Sequence, residues 1–235
     1  MNENVLINDI KSQWDNNVEI RATDIKSGYD DSYINYIIPW VLNKIKASTN
    51  HDSTILDIGC GCGYLTNVVF NSGRKNIVGI DISPKSIEYA KNDYPNLQFV
   101  NADICSISES VNVDYCISVM TLNNFPYLDR FLKACYTSLK KSGNLLILIP
   151  HPCFWPLRHI KDETYVYEKE KIYKFHFSTK GSSEYVSNMY YFHRKVETYI
   201  NTAITNQFII GDFKEIFERF PCDKPDMLGL ELIKK

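Results

Sequence analysis

The chain has 235 residues, 44% of them hydrophobic and 23% charged, with a formal net charge of −2. That balance is globular and leaves room for one α/β domain with a sizeable core, which excludes a disordered chain. The near-neutral charge argues against a broad electrostatic footprint for nucleic acid.

Residues 2–27 read as polar and mixed, with Trp14 as an anchor. Asp30 to Ile45 has the spacing of a helix, its apolar face made by Ile34, Ile37, Ile38, Val41, Leu42 and Ile45, and Pro39 predicts a kink or break inside it. Thr54 to Ile58 is a short apolar strand that runs into Gly59, Gly61 and Gly63, and Leu65 to Phe70 then opens a helix. Asn76 to Ile82 is a second strand and Pro84 to Asp93 a helix with proline in its first turn and Ser83 as its cap. Leu97 to Val100 and Val113 to Met120 are the third and fourth strands, and Phe125 to Leu139 is an amphipathic helix closed by Gly143. Asn144 to Ile149, almost wholly apolar, is a fifth strand buried on both faces. Beyond His151 the alternation stops. Thr164 to Tyr167 and Ile172 to Phe177 alternate with period two as extra strands, Val196 to Thr205 is a helix, and Phe208 to Ile210 and Met227 to Ile233 are the last strands.

Strands alternating with helices, joined by connections too long for hairpins, predict a parallel sheet covered on both faces. Ligands in such sheets sit at the carboxyl ends of the strands. The polar residues Asp57, Asp81, Asp103, Asn123 and His151 all fall at those ends. The seven cysteines are odd in number and scattered, which points to reduced thiols rather than a disulfide framework. No paired spacing of zinc ligands is evident, so no metal is expected. Met1 to Lys11 lacks the apolar core of a signal peptide and no apolar run approaches a membrane span, so the expected compartment is the cytoplasm, without a membrane partner. Nothing in the sequence decides an oligomeric state.

The glycine turn identifies a nucleotide-type ligand, because strand, glycine turn and helix N-terminus bring backbone N–H groups close to it. A dinucleotide site places its third glycine three residues after the second, where this chain has Tyr64. Its strand also ends in Asp57, and a carboxylate there suits a cationic ligand or one with an ammonium group better than a pyrophosphate.

At these residues the chain resembles the class I S-adenosylmethionine-dependent methyltransferases of the small-molecule kind, over residues 54–150 most strongly. The resemblance implies a Rossmann-like, doubly wound, mainly parallel seven-stranded sheet with a substrate cap inserted after the fifth strand. It implies S-adenosylmethionine as cofactor, held by Asp57, Gly59, Cys60 and Gly61 of the turn, with Cys60 acting through its backbone. Asp81 and Ile82 match the ribose position, Asp103 and Ile104 the adenine position, and Met120 the fourth-strand end beside the methionine moiety. On this reading residues 1–50 are a helical N-terminal cap, 51–150 the cofactor-binding core, 151–195 the substrate cap and 196–235 a last helix and strands, all within one methyltransferase domain.

Methyl transfer asks the protein mainly to align a nucleophile, with a base where the acceptor carries a proton. His151, set between Pro150 and Pro152, is the candidate catalytic group, as base or only to orient substrate. Tyr29, Asn124, His151 and His193 are expected to face the substrate. Arg158, His159 and Lys161 would serve an anionic substrate, although a solvated loop is the simpler account of them. Leu122-Asn123-Asn124-Phe125-Pro126 departs from the Asn/Asp-Pro-Pro-aromatic pattern of DNA and protein amine methylators. The expected activity is methyl transfer to an oxygen or nitrogen of a small metabolite. The alternatives are an RNA base methyltransferase, for which the basic surface is missing, and a non-catalytic S-adenosylmethionine-binding regulator.

Overall fold

The computed structural model describes residues 3–107, 111–160, 162–176, 189–218 and 223–235. Lys161, Phe177 and part of the expected cap lie outside the described residues. The chain divides into two compact units, residues 1–103 with 176–189, and residues 104–175 with 190–235.

The first unit opens with α1 (Glu3–Lys26), a 24-residue helix where the sequence reads as a polar, mixed segment. Its buried side chains Leu6, Ile10, Val18, Ala22 and Ile25 fall, with half-buried Trp14, on one helical face. The stripe is one residue wide per turn, so polar neighbours mask it in the sequence. A π-helical turn, Tyr33–Ile37, leads into α2 (Ile38–Ser48). Residues 31–48 are helical throughout, and the irregularity expected at Pro39 takes the form of the π-helical turn just before it.

Then follow β1 (Ile55–Ile58), α3 (Tyr64–Asn71), β2 (Ile77–Asp81), α4 (Pro84–Asp93) and β3 (Gln98–Asn101). The three strands are parallel, with Asp57 opposite Gly79 and Asp81 opposite Asn101. All four residues of β1 are buried, as a strand covered on both faces requires. Ser83 caps α4 by accepting from the Ser86 N–H at 3.0 Å.

The second unit contains β4 (Val113–Val119), α5 (Leu128–Ser138), β5 (Leu139–Pro150), α6 (Trp155–His159), β6 (Ile172–Phe175), α7 (Val196–Thr205), β8 (Phe208–Ile216) and β9 (Met227–Lys234). β4 and β5 are parallel, whereas β9 is antiparallel to both β5 and β8. β6 pairs with β7 (Met189–Phe192) in a separate two-stranded sheet. α5 buries Leu128, Phe131, Leu132 and Cys135, one face at helical spacing.

Two local expectations are corrected. Gly143 does not close α5: the helix ends at Ser138, Leu139 is already extended, and the left-handed residue is Ser142 at φ 61°. Residues 164–167 form turns rather than a strand, organised by Asp162, whose Oδ1 accepts from both the N–H and the hydroxyl of Thr164. Hydrogen-bonded neighbours run β3-β2-β1-β4-β5-β9-β8, a seven-stranded, mostly parallel α/β sheet. Among the described residues no helix is long and apolar enough to cross a membrane.

The packing of the first unit hinges on glycines without room for a methyl. A Cβ on Gly63, at φ 78°, would lie 2.7 Å from the Phe99 ring and 2.9 Å from Ala90 Cβ. Gly63→Ala should therefore lower stability by about 2–4 kcal/mol, from the left-handed backbone and the overpacking together. A thermal melt checks it; a melting temperature within 1–2 °C of wild type contradicts this packing.

Candidate cofactor and acceptor sites

In the first unit, the turn after β1 carries three glycines in the left-handed region, Gly59, Gly61 and Gly63, at φ 75°, 53° and 78°. Gly59 and Cys60 donate their N–H groups to the Ile80 carbonyl at 2.8 and 3.0 Å, binding the turn to β2. Asp81, at the end of β2, is the anchor. Its Oδ2 accepts from Gly61 N at 2.9 Å and its Oδ1 from Ser83 N at 2.8 Å. Its main-chain carbonyl accepts from Ala102 N at 3.0 Å and Asn101 Nδ2 at 2.8 Å, which ties the end of β3 to it. Each carboxylate oxygen keeps a second lone pair for a diol or other donor. Burial pushes the Asp81 carboxyl above the usual carboxylate range, and the backbone N–H groups of Ser83, Gly61 and Ile82 oppose that.

Asp57 lies beneath the turn, buried, and accepts from the Thr66 hydroxyl at 2.7 Å. Burial pushes it up to about 7, which the Thr66 hydrogen bond only partly offsets. Cys60 and Cys62 are buried and burial holds both as neutral thiols. Ile82 is half-buried beside Asp81, and Asp103 is half-buried just beyond β3. Tyr29 is exposed, on the turn after α1. Tyr33 is buried instead, edge-on to Tyr64 and under the Arg21 guanidinium.

One contact here was not legible in the sequence. Asp15 of α1 accepts from the Ser83 hydroxyl at 2.6 Å and from Lys85 N at 3.2 Å, so α1 supplies a second acid to the start of α4. The polar stretch around Asp15 carried no signal of it, because the helix itself was not evident.

In the second unit, Ile104 begins a buried 3-10 turn and Met120 follows β4 in the left-handed region, at φ 55°. A non-glycine residue there is strained, as residues at functional strand ends often are. Met120 N donates to Leu148 O at 2.8 Å, and its own carbonyl accepts from Asn124 Nδ2 at 3.2 Å. Arg194 clamps the 3-10 turn Leu122–Asn124. Its Nη1 donates to Leu122 O at 3.1 Å, and its Nη2 to Phe125 O at 2.6 Å and Pro126 O at 2.9 Å. The guanidinium is buried over the rings of Phe192 and Tyr199. The sequence marks this residue only as the neighbour of His193.

His151 is buried directly after β5. Its Nδ1 accepts from Cys153 N at 3.2 Å, so its Nε2 carries the proton and faces Glu215 Oε1 at 3.1 Å. Burial lowers its affinity for a second proton more than Glu215 raises it. His193 is also buried and directs Nε2–H to the Tyr167 carbonyl at 2.9 Å. Its ring lies among those of Tyr165, Tyr167, Tyr173 and Tyr191, with centroids 5.1 to 6.2 Å away.

A family profile described as a methyltransferase domain matches residues 56–147. The chain is 32% identical over 138 residues to a malonyl-[acyl-carrier protein] O-methyltransferase of Priestia megaterium, covering 57% of this chain and 49% of that one. It is 31% identical over 121 residues to the mitochondrial ubiquinone biosynthesis O-methyltransferase of Mus musculus, covering 45% of this chain and 32% of that one. A crystal structure assigned as an S-adenosylmethionine-dependent methyltransferase of Listeria monocytogenes superposes with TM-score 0.64 at 25% identity, covering 82% of this chain and 97% of that one. Residues 56–147 therefore carry a methyltransferase domain, within a fold shared with S-adenosylmethionine-dependent methyltransferases. The chain spans about half or less of the length of the two curated relatives.

The residues of the first unit fit this family's cofactor, S-adenosylmethionine. A Cβ on Gly61 would meet nothing within 4 Å, so space stands open over the turn, and the Asp81 carboxylate borders it through Gly61 N. Gly61→Ala should cost only the left-handed backbone strain, about 1–2 kcal/mol of stability, yet fill that space and weaken S-adenosylhomocysteine binding at least tenfold. Calorimetry beside a thermal melt separates the two effects.

Asp57 adds a pH dependence. Burial raises its folded carboxyl to about 7 from the ordinary 3.8, so its protonated form favours the folded state. The stability it contributes is complete below about pH 4 and is lost as pH rises to about 7, on the order of 4 kcal/mol in all. Asp57→Asn should flatten the decline in melting temperature across that range. An unchanged pH profile would assign the decline to other groups.

Proposed function

We propose that the protein transfers a methyl group from S-adenosylmethionine to an oxygen or nitrogen of a small metabolite. The observation that carries this reading is the Asp81 node: one carboxylate holding Gly61 N and Ser83 N while its carbonyl ties Ala102 and Asn101. That network presents an acid at the end of β2, where the family's ribose site falls, beside an open glycine turn. We assign Asp57, Gly59, Cys60, Gly61, Asp81, Ile82, Asp103, Ile104 and Met120 to the cofactor.

When bound, the cofactor supplies a methyl group on a sulfonium, already activated for displacement. The protein's work is then alignment and exclusion of water. Asn124, fixed by its bond to Met120 O, serves acceptor orientation, and the aromatic segment within 151–195 selects the acceptor. For His151 the ring geometry favours positioning over proton transfer. Its basic nitrogen is engaged by Cys153 N, so the ring pins the start of the cap to β8 through Glu215. The small-molecule acceptor accords with the relative named for ubiquinone biosynthesis, while the Priestia relative is named for a malonyl group on an acyl carrier protein. A cytoplasmic location accords with the free thiols of the six described cysteines.

Calorimetric titration with S-adenosylhomocysteine tests the core of the reading. Wild type should bind, and Asp81→Asn should bind at least tenfold more weakly, the scale of one lost charge-assisted hydrogen bond. Absence of binding to well-folded wild type overturns it. The acceptor itself is found by screening candidate metabolites for methylated product.

A further inference from the structure

The second unit contains a pattern in its unsatisfied polar atoms. Among the described residues, Asn124 Oδ1 and His193 Nδ1 are both buried without a hydrogen-bond partner, as are Asn123 Oδ1 and the hydroxyls of Ser118 and Tyr173. For Asn124 and His193 the other end of the side chain faces a main-chain carbonyl, which only accepts: Asn124 Nδ2 meets Met120 O and His193 Nε2 meets Tyr167 O. Those carbonyls settle which end is free. The amide must turn its nitrogen to Met120, and the imidazole must carry its proton on Nε2. Both orphan atoms are therefore lone pairs, and neither has a proton to give.

The two residues stand on neighbouring segments. Arg194, next in chain to His193, grips Leu122 O, Phe125 O and Pro126 O, on either side of Asn124. Aromatic rings surround His193, and Tyr191 also packs on Trp155 with centroids 4.8 Å apart. Three cations of this unit have acceptors of their own among the described residues. Arg194 is spent on three carbonyls, Arg158 on Asp226 and the Lys224 carbonyl, and Lys171 on Asp162. Buried acceptors left empty carry a standing cost, which a ligand bringing donors would relieve.

We propose that Asn124 Oδ1 and His193 Nδ1 select the methyl acceptor as a hydrogen-bond donor, an aromatic or apolar molecule bearing a hydroxyl or amine, and turn away carboxylates and phosphates. This rests on the assignment of the second unit's aromatic segment to the acceptor. An ionised carboxyl acceptor would meet these two lone pairs with no proton between them, and would have to draw its donor from elsewhere, such as the unpartnered Tyr173 hydroxyl whose ring packs on His193.

The test uses three probes of one shape, benzyl alcohol, benzylamine and benzoate. Each is added to the full chain with S-adenosylhomocysteine present, and binding is read by ligand-observed NMR. The alcohol and the amine should bind and benzoate should bind at least tenfold more weakly. His193→Phe keeps a ring and removes the lone pair; Asn124→Leu keeps bulk and removes the amide. Each variant should weaken the two donor probes about tenfold while S-adenosylhomocysteine affinity stays near wild type; each also loses a hydrogen bond to a main-chain carbonyl, Tyr167 O or Met120 O, so the melting temperature falls by a few degrees while the fold is kept. If one variant misfolds, the other and the wild-type probe order still decide. Benzoate binding as well as the alcohol, no binding by any probe, or donor-probe affinity unchanged in a folded variant overturns the proposal. Failure of S-adenosylhomocysteine to bind wild type is a separate result and strikes the methyltransferase reading instead.

Discussion

The packing of the first unit depends on how closely the main chain at two glycines may approach one aromatic ring. Gly63 and Gly79 both face Phe99, and a methyl on either would come within 2.7 Å of that ring. The absence of those methyls lets the start of α3, the middle of β2 and the side chain of β3 share one small volume. Only with that contact made does the turn after β1 lie against β2 closely enough for Gly61 N to reach Asp81. The third-glycine role of a dinucleotide turn, close packing of helix on sheet, is thus filled by Gly63 and not by the residue at position 64. The same packing leaves the outer side of Gly61 open, so one constraint produces both the rigid floor and the vacant space above it.

The electrostatics of the two units differ in kind. The first gathers acids, Asp57, Asp81 and Asp15, two of them raised by burial and held by hydroxyls and N–H groups rather than by cations. A site of that sort stores unfavourable desolvation that a cationic ligand would relieve. The second unit buries a cation, Arg194, and satisfies it with neutral carbonyls and ring faces. Its planar fork suits three carbonyls spread along one turn, which an ammonium group could not span as well. There the charge shapes backbone, and the residues left to meet a ligand are uncharged.

Much of the alternating core was legible in the sequence, and for a definite reason. Strands buried on both faces read as short apolar runs, and the run around Leu56 and the one around Leu146 stand out without any partner being known. Ser83 and Pro84 announce α4, and the structure begins that helix at Pro84. The misses share a cause as well. α1 turns only a thin stripe to the interior, so its hydrophobic signal is diluted by polar neighbours. The period-two pattern at Thr164 to Tyr167 is outweighed by the Asp162 turn, a local hydrogen-bond choice that competes with strand pairing. Gly143 looks like a helix stop, yet its place in β5 follows from pairing with β4 and from Ser142 taking the left-handed conformation.

The sequence by itself determined the class of fold and the position of the glycine turn, because Asp57 to Gly63 and the strands around it are contiguous. Periodicity, glycine freedom and strand-end acids all act within a few residues of one another. Only the tertiary structure decided what those acids touch. Asp15 reaches Ser83, Arg194 reaches the turn after β4, and Glu215 reaches His151, each across tens of residues of chain. It also decided which atoms are left over. Whether an amide or an imidazole presents a donor or a lone pair depends on which carbonyl its other end has found, and that is a property of folded neighbours rather than of the residue's name.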